Sequence, residues 1–423
     1  MRAVHTVTVP GDKSLSHRAL MFAALASGES VLRGVLPSAD VMSTAGVLRT
    51  LGVELPAAWS GESTLRVTGV GRRGLRVPTG DLDCGNSGTT TRLMAGVVAG
   101  HRLRATFIGD ASLSRRPMRR IARPLTQMGA AFTFISDDGL PMTVQGGDLR
   151  DLDWVSPTAS AQVKSAILLA ALVAGVSARV QEPSRSRDHT ERMLAALGAP
   201  ISVTDDAVML DPVASLAPLA FDVPGDPSSA LFLIVSAVLR GQPLEIRNVG
   251  VNKTRIGAFA VLERMGVTLT LVNEHELGGE PVADVHVAPA SGIRGVAIGG
   301  DEIPALIDEL PILACLAACA EGETRITDAG ELRVKESDRI AAVVSNLRSI
   351  GADADELPDG MVIRGGVRRF SGSVVTHADH RIAMSFGVLG ALPGNAVQVD
   401  DPSCVDVSFP GFWAMLASIG DDA

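Results

Sequence analysis

The hydrophobic residues of this chain fall into runs that return on one plan. A polar cap, about ten small and aliphatic residues, a glycine-containing turn and a β-rich stretch follow one another. The copies are "GDKSLSHRALMFAALASGESVL", "GNSGTTTRLMAGVVAG", "SPTASAQVKSAILLAALVAGVSARV", "GDPSSALFLIVSAVLRGQPLEI", "IDELPILACLAACAEGETRI" and "HADHRIAMSFGVLGALPGNAVQV". A second signature alternates with them, an apolar residue followed by glycine: Leu51-Gly52, Met128-Gly129, Leu197-Gly198, Met265-Gly266, Ile350-Gly351 and Ile419-Gly420. Glycine there suits the left-handed position just past a helix end. Both series have a period of roughly 70 residues, longer than a solenoid repeat and long enough for two helices and several strands. Six units of that size predict two domains of three.

The first helix of each unit is apolar nearly all round, which predicts burial, whereas the second, as in "DHTERMLAALG" (188–198), is amphipathic. The expected fold class is therefore α/β: two domains, each with three βαβαββ units around buried helices. Pro-Gly turns in "TVPGDKS" and "FDVPGDPSS" each introduce a new unit and are the expected crossings between domains. The first strand then belongs with the C-terminal half. This divides the chain into a discontinuous domain of residues 1–11 and 224–423 and a second domain of residues 12–223.

Composition narrows the class of function. With 423 residues, 46% hydrophobic, and a formal charge of -9, the chain is globular, and its acidity gives no reason to expect a nucleic-acid or membrane partner. The best apolar run, Ser165 to Val176, is too short to span a bilayer, and the N-terminus has no long apolar h-region. A cytoplasmic location is expected. Cys84, Cys315, Cys319 and Cys404 form no C-x-x-C pair and are expected to be reduced core thiols. Of 38 Lys plus Arg, only Lys13, Lys164, Lys253 and Lys335 are lysine. Each is a candidate for a role that needs a compact ammonium, although codon drift is the plainer explanation of any single one.

A helix N-terminus exposes unpaired N–H groups and the positive end of the dipole, so Lys13, Ser14, Ser16, His17 and Arg18 at such a mouth suggest an anion site. Alone, that mouth would read as an N-cap with solvated neighbours. The pattern repeats, however: Arg92 follows "GNSGTTT", Arg115 and Arg116 follow "GDASLS", Lys164 follows "SAQ" and Arg381 follows "HADH". Several cationic helix mouths predict a small substrate with more than one anionic group. The densest stretch, "ELRVKESDRI", holds Lys335, Glu336, Asp338 and Arg339 and would alone be a charged, solvated turn. Asp308 would alone be a helix cap. With Glu336 it gives two carboxylates able to exchange protons, provided the fold brings them together.

Other motifs carry less. "GVGRRG" (69–74) matches G-x-G-x-x-G but lies between β-like stretches with no helix behind it, and is expected to be a hairpin. No P-loop sequence is present. His377, His380 and Asp379 lack a second ligand cluster and read as polar capping, so neither a metal nor a cofactor is expected.

At "GDKSLSHRAL", "GNSGTTTR", "SRRPM", "SAQVKSA", "RVKESDR" and "DHRIAMSF" together, nearly the whole chain resembles the 5-enolpyruvylshikimate-3-phosphate synthase family. The resemblance implies an inside-out α/β barrel in each domain, with the site in the cleft between the domains and closure on substrate. It implies transfer of the enolpyruvyl group of phosphoenolpyruvate to the 5-hydroxyl of shikimate 3-phosphate by a monomeric enzyme. Lys13, Ser14, Arg18, Ser160, Ala161, Gln162, Arg187, Asp308 and Lys335 are the implied shikimate 3-phosphate positions. Lys13, Asn86, Gly88, Thr89, Arg116, Gln162, Glu336, Arg339 and Arg381 are those for phosphoenolpyruvate. Lys13, Asp308 and Glu336 are the implied catalytic groups.

The chain departs from one common form of that family at two places. Ala161 stands where a second serine precedes the glutamine, which removes one hydroxyl, and Val407 stands where a lysine precedes the C-terminal "FP". Gly88 leaves room that a side chain fills in glyphosate-tolerant relatives, so sensitivity is expected. The rival readings are enolpyruvyl transfer to UDP-N-acetylglucosamine, a non-enzymatic repeat scaffold and a dinucleotide-dependent oxidoreductase. The first typically uses a loop cysteine, and "ASLSRRPM" has none.

Overall fold

Polar residues that start long apolar runs become caps, and the caps fix where the helices begin. The computed structural model describes residues 4–290 and 292–420. Its first helices are α1 (Lys13–Leu25), α2 (Ala39–Thr50), α3 (Gly88–Ala99), α4 (Arg119–Met128), α5 (Ala161–Ala174) and α6 (His189–Ala196). They are followed by α7 (Pro227–Arg240), α8 (Gly257–Arg264), α9 (Ile303–Leu306), α10 (Leu310–Cys319), α11 (Arg339–Ser349), α12 (His380–Gly390) and α13 (Phe412–Ser418). Asp12, Ser87, Ser160, Asp226 and Asp379 cap α1, α3, α5, α7 and α12 through their side-chain oxygens. These helices and α10 are buried along nearly their whole length, whereas α2, α4, α6, α8 and α11 each bury one face.

The chain folds as two compact units. One contains the chain up to Pro10, Pro224–His275 and the chain from Pro281 onward; the other contains Gly11–Val223 with Glu276–Glu280. Each unit has its own apolar core, one built on α1, α3 and α5 and the other on α7, α10 and α12. In the latter, Phe412 meets Phe232, Phe409 and Trp413 edge to face, with centroids 5.9, 5.4 and 5.1 Å away.

One order of elements recurs. The strand Leu82–Asp83 leads into α3, and a parallel strand, Arg104–Ile108, leaves it. After α4, the strands Ala131–Phe134 and Met142–Gln145 complete the sheet in antiparallel fashion. Leu152–Val155, Ala178–Gln181, Ile201–Val203 and Ala207–Leu210 repeat that pattern around α5 and α6. Ala297–Ile298, Glu323–Ile326, Asp353–Leu357 and Gly360–Arg364 repeat it around α10 and α11.

Two strands are exchanged. His5–Thr8 runs directly towards α1 yet pairs in parallel with Leu244–Gly250, the strand after α7. Ala220–Asp222 runs towards α7 yet pairs with Ser27–Arg33, the strand after α1. The Pro-Gly turns are therefore where the chain changes sheet, as the sequence predicts for the first strand. The expected hairpin at Gly69–Gly74 is not formed. The strand Leu65–Val70 ends there in a turn, and the next strand joins another sheet.

The helix ends follow the apolar-glycine signature; Gly129 ends α4 at φ +118°. Another glycine serves close approach. A Cβ on Gly96 of α3 would sit 2.2 Å from the Ala166 carbonyl oxygen of α5, so these helices touch backbone to backbone. Gly96→Ala is expected to lower stability by roughly 1–3 kcal/mol, the usual cost of overpacking, measured as a urea-unfolding midpoint against wild type.

Candidate active site

In the unit that holds α1, α3 and α5, three helix mouths converge on cations. Lys13, the first residue of α1, lies with Nζ 3.0 Å from Asp40 Oδ2 of α2. One turn later Arg18 is buried; its Nε donates to Thr190 Oγ1 at 2.8 Å, Nη1 to the Ser14 carbonyl at 3.0 Å and Nη2 to Ser165 Oγ at 2.9 Å. Burial pulls the Arg18 pKa down to about 10, against the carboxylates of Glu191, Asp12 and Glu280. Its guanidinium is thus held as a fixed plate rather than a mobile arm.

At the mouth of α3, Gln162 of α5 links two elements. It accepts from Arg92 Nη1 at 2.5 Å and donates to Thr89 Oγ1 at 3.1 Å. Arg116 Nη2 donates to Asn86 Oδ1 at 2.5 Å, and Asn86 Nδ2 donates in turn to Asp110 Oδ2 at 2.6 Å. A Cβ on Gly88 would lie 3.2 Å from Arg92 Nη1 and 3.4 Å from Arg116 Nη1, so glycine keeps both guanidiniums close to the helix end. Asn86, Gly88, Thr89, Arg116 and Gln162 therefore stand together, joined by Arg92. Arg116 itself differs from expectation in one respect. It closes a 3-10 turn (Leu113–Arg115) in extended conformation, three residues before α4, and is not at a helix mouth. Ser160 caps α5. Ala161 opens that helix, and Arg187 lies in the loop before α6.

In the other unit, Arg339 is the centre. Its side chain is 1% exposed, and it grips Asp379 with Nε (2.8 Å) and Nη2 (3.2 Å). The same guanidinium reaches Glu336 Oε2 at 2.6 Å and Asp308 Oδ1 at 3.3 Å. Lys335 Nζ is 3.2 Å from that Asp308 oxygen, and Arg381 Nη1 donates to the Asp308 carbonyl at 2.8 Å and to Glu309 Oε1 at 3.3 Å. The fold thus brings Asp308 and Glu336 onto one cation. Asp308 is not a helix cap; it sits in the 3-10 turn Ile307–Glu309, and its carboxylate takes Lys335 and Arg339. Burial raises the Asp379 pKa, but Arg339 outweighs it and holds the carboxyl below its ordinary range. Asp379 also caps α12 by accepting from the Arg381 N–H at 3.0 Å, in keeping with the polar-capping reading.

Sequence reasoning missed the partners of these groups. Asp40, Asp110, Ser165, Thr190, Glu182 and Glu309 carry no local signal as partners, although Asp110 lies in "GDASLS" and Ser165 in "SAQVKSA". The four cysteines are free thiols; burial pushes Cys84, Cys319 and Cys404 up to about 12. No helix among the described residues is long and apolar enough to cross a membrane.

The fold defines a class. The enolpyruvyl transferase NikO from Streptomyces tendae, 18% identical, superposes with a TM-score of 0.79 over 99% of this chain and 95% of that one. The chain therefore has the enolpyruvyl transferase fold. The sequence then selects the family: the model of EPSP synthase (3-phosphoshikimate 1-carboxyvinyltransferase) matches residues 2–416, and the chain belongs to that family. It is 49% identical over 417 residues to the 3-phosphoshikimate 1-carboxyvinyltransferase of Pelotomaculum thermopropionicum, covering 98% of this chain and 96% of the relative. The enzyme of the same name from Gloeobacter violaceus is 49% identical over 416 residues, covering 98% and 96%. EPSP synthase from Acinetobacter baumannii, 40% identical, superposes with a TM-score of 0.84 over 99% of this chain and 95% of that chain.

One buried group beneath the α1 mouth gives a pH signature. His17 Nδ1 lies 2.7 Å from Thr44 Oγ1, which lies 2.7 Å from Thr90 Oγ1, and Thr90 bonds Ser87 Oγ at 2.8 Å. Burial, then Lys13 and Arg18, lower the imidazole well below its ordinary 6.5. The unfolded chain therefore binds a proton that the folded one refuses. The stabilisation is complete above pH 6.5 and is lost as pH falls below it. His101, also lowered by burial, has the same sign. The urea midpoint should fall between about pH 7.5 and about pH 5.5, and His17→Gln should flatten that slope, leaving the share of His101.

Proposed function

We propose that the chain transfers the enolpyruvyl group of phosphoenolpyruvate to the 5-hydroxyl of shikimate 3-phosphate through Asp308, Glu336 and Lys13. The observation that carries this reading is the convergence of Asp308 and Glu336 on Arg339, at 3.3 and 2.6 Å. Two carboxylates sharing one fixed cation suit a reaction in which a proton leaves one substrate and another enters the second. Asp308 takes the proton of the 5-hydroxyl as its oxygen bonds to C2 of phosphoenolpyruvate. Glu336 delivers a proton to C3. The tetrahedral ketal phosphate then loses a proton from C3 and expels phosphate, restoring the enol. Lys13 stabilises the charge that builds on the transferring groups.

Arg116, Arg339 and Arg381 hold the carboxylate and phosphate of phosphoenolpyruvate as planar forks, with Asn86, Gly88, Thr89 and Gln162 around them. Ser14, Arg18, Ser160, Ala161, Gln162, Arg187 and Lys335 bind shikimate 3-phosphate. Three helix mouths in one unit and the arginine cluster in the other support a substrate pair rich in anionic groups. In this reading each unit is a barrel of three βαβαββ repeats turned inside out, and the protein is a cytoplasmic monomer that needs no metal or cofactor. Family membership sets aside the scaffold, dinucleotide and nucleotide-sugar readings.

Phosphate release from phosphoenolpyruvate, followed in chelated buffer, should require shikimate 3-phosphate and should not occur with UDP-N-acetylglucosamine or without an acceptor. Release only with the nucleotide sugar would reassign the acceptor. Asp308→Asn and Glu336→Gln should each lower kcat by roughly 100-fold or more, the usual worth of a positioned acid or base. Deuterium uptake at C3 should disappear with Glu336→Gln; its survival would move the acid to another group. At Gly88, the added methyl of Gly88→Ala must displace Arg92 Nη1, so KM for phosphoenolpyruvate should rise and inhibition by glyphosate should weaken. Unchanged inhibition constants would show that the two guanidiniums give way freely.

A further inference from the structure

Ser160 caps α5, and a helix start with a serine cap is often completed by Glu or Gln three residues on, which reaches back to the cap's own N–H. Here that residue is Val163, which cannot accept a hydrogen bond. The acceptor comes from elsewhere. Glu182, just past the strand Ala178–Gln181, takes the Ser160 N–H on Oε1 at 2.9 Å.

The same carboxylate binds a second segment. Ser186 Oγ lies 2.7 Å from Oε1 and 2.8 Å from Oε2, which fixes the loop that carries Arg187. Lys164, one turn into α5, donates to Oε2 at 2.7 Å and reaches Glu191 Oε1 of α6 at 2.8 Å. The side chains of Lys164, Glu182 and Glu191 are only 3, 8 and 3% exposed. An uncompensated buried carboxylate beside a phosphate subsite would repel the phosphate. Lys164 offsets that charge, and its own pKa is raised because the two glutamates outweigh burial.

We propose that Glu182 is the positioning residue of the phosphate subsite for shikimate 3-phosphate: it joins Ser160, at one wall, to the Arg187 loop, at the other, and Lys164 screens its charge from the ligand. This rests on the assignment of Ser160, Gln162 and Arg187 to that substrate. Glu182 touches no substrate in this account; it acts through the segments it ties together. It also explains how one wall can carry Ala161 in place of a second hydroxyl. The loop opposite is held at fixed distance by a charge-assisted bond network rather than by ligand contacts alone.

The test compares the substrate with its dephosphorylated form. In Glu182→Gln either flip of the amide sets its NH2 against the Lys164 ammonium or the Ser160 N–H, donor against donor, so the tie is weakened with little change in volume. The Kd for shikimate 3-phosphate should rise roughly tenfold or more, as for loss of a group that orients a ligand-binding residue, while the Kd for shikimate, titrated by NMR, stays at the wild-type value. KM for shikimate 3-phosphate should rise with it, and kcat at saturation and KM for phosphoenolpyruvate should stay within about twofold. Ser186→Ala cuts only the loop side of the tie and leaves the Lys164 pair intact. It should show the same selectivity with a smaller loss, and it decides the matter if Glu182→Gln does not fold. Equal loss for both ligands, or no loss in either variant, overturns the proposal. If wild-type protein fails to bind shikimate 3-phosphate while binding another acceptor, the functional assignment itself fails, a result separate from any effect at Glu182.

Discussion

A guanidinium taken out of water needs acceptors for its charge and its N–H groups, and Arg339, which finds them in carboxylates, sets this requirement for a whole unit. It cannot be deprotonated, so its burial is tolerable only because Asp379 chelates it and Asp308 and Glu336 approach its remaining nitrogens. Satisfying one ion brings together three segments, the turn before α10, the start of α11 and the start of α12. Ser337 adds a hydrogen bond to Asp379 at 2.9 Å, and Arg381 is fixed through the backbone that Asp379 caps. Removing Asp379 would take away the carboxylate that chelates a buried charge, so the placement of Asp308 and Glu336 on Arg339 depends on it.

The other unit uses the same arrangement at lower charge density. Each cation is held by an acceptor behind it: Lys13 and Arg92, at helix mouths, by Asp40 and Gln162, and Arg116, outside any mouth, by Asn86 with Asp110 behind that. The helix dipoles favour anions at these mouths, and the fixed cations add to that preference. Preorganisation of this kind means that little reorganisation remains when an anion arrives. The hydroxyl chain from His17 through Thr44 and Thr90 to Ser87 ties α1, α2 and α3 beneath the mouths, so their spacing is set inside the core.

The sequence made the helices legible because burial on all sides and burial on one side leave different periodicities. The strand exchange was legible because Pro-Gly turns marked where a unit began. The residues proposed to face ligand stand within the family's motifs. What lay behind them was not: Glu182 meets Ser160 across 22 positions, and Asp379 meets Arg339 across 40. Such pairs depend on tertiary packing that no local pattern encodes. The "KESDR" stretch shows the limit most clearly. Its Glu336–Arg339 pair is an ordinary i,i+3 spacing, and the distant carboxylates Asp379 and Asp308, which hold the buried arginine, distinguish it from a solvated turn. The failed hairpin at Gly69–Gly74 has a similar origin. Two glycines mark a turn, but the sheet that the next strand joins is decided by burial elsewhere.

The scarcity of lysine acquires a physical meaning in this light. Three of the four lysines lie against carboxylates in sheltered positions, Lys13 on Asp40, Lys164 between Glu182 and Glu191, and Lys335 on Asp308, while Lys253 is exposed. Arginine serves nearly everywhere else, including the surface pairs with Asp148, Glu29 and Asp355. Drift in codon usage would scatter the few remaining lysines among exposed sites, where either cation serves equally well. The difference lies in geometry. Between Glu182 and Glu191 there must be one small atom with three rotatable donors at 2.7 and 2.8 Å from two oxygens, and a planar fork would spread its charge over a wider space. A chain that otherwise prefers arginine has kept lysine where a point charge must fit, and those places are the anchors of its helix mouths.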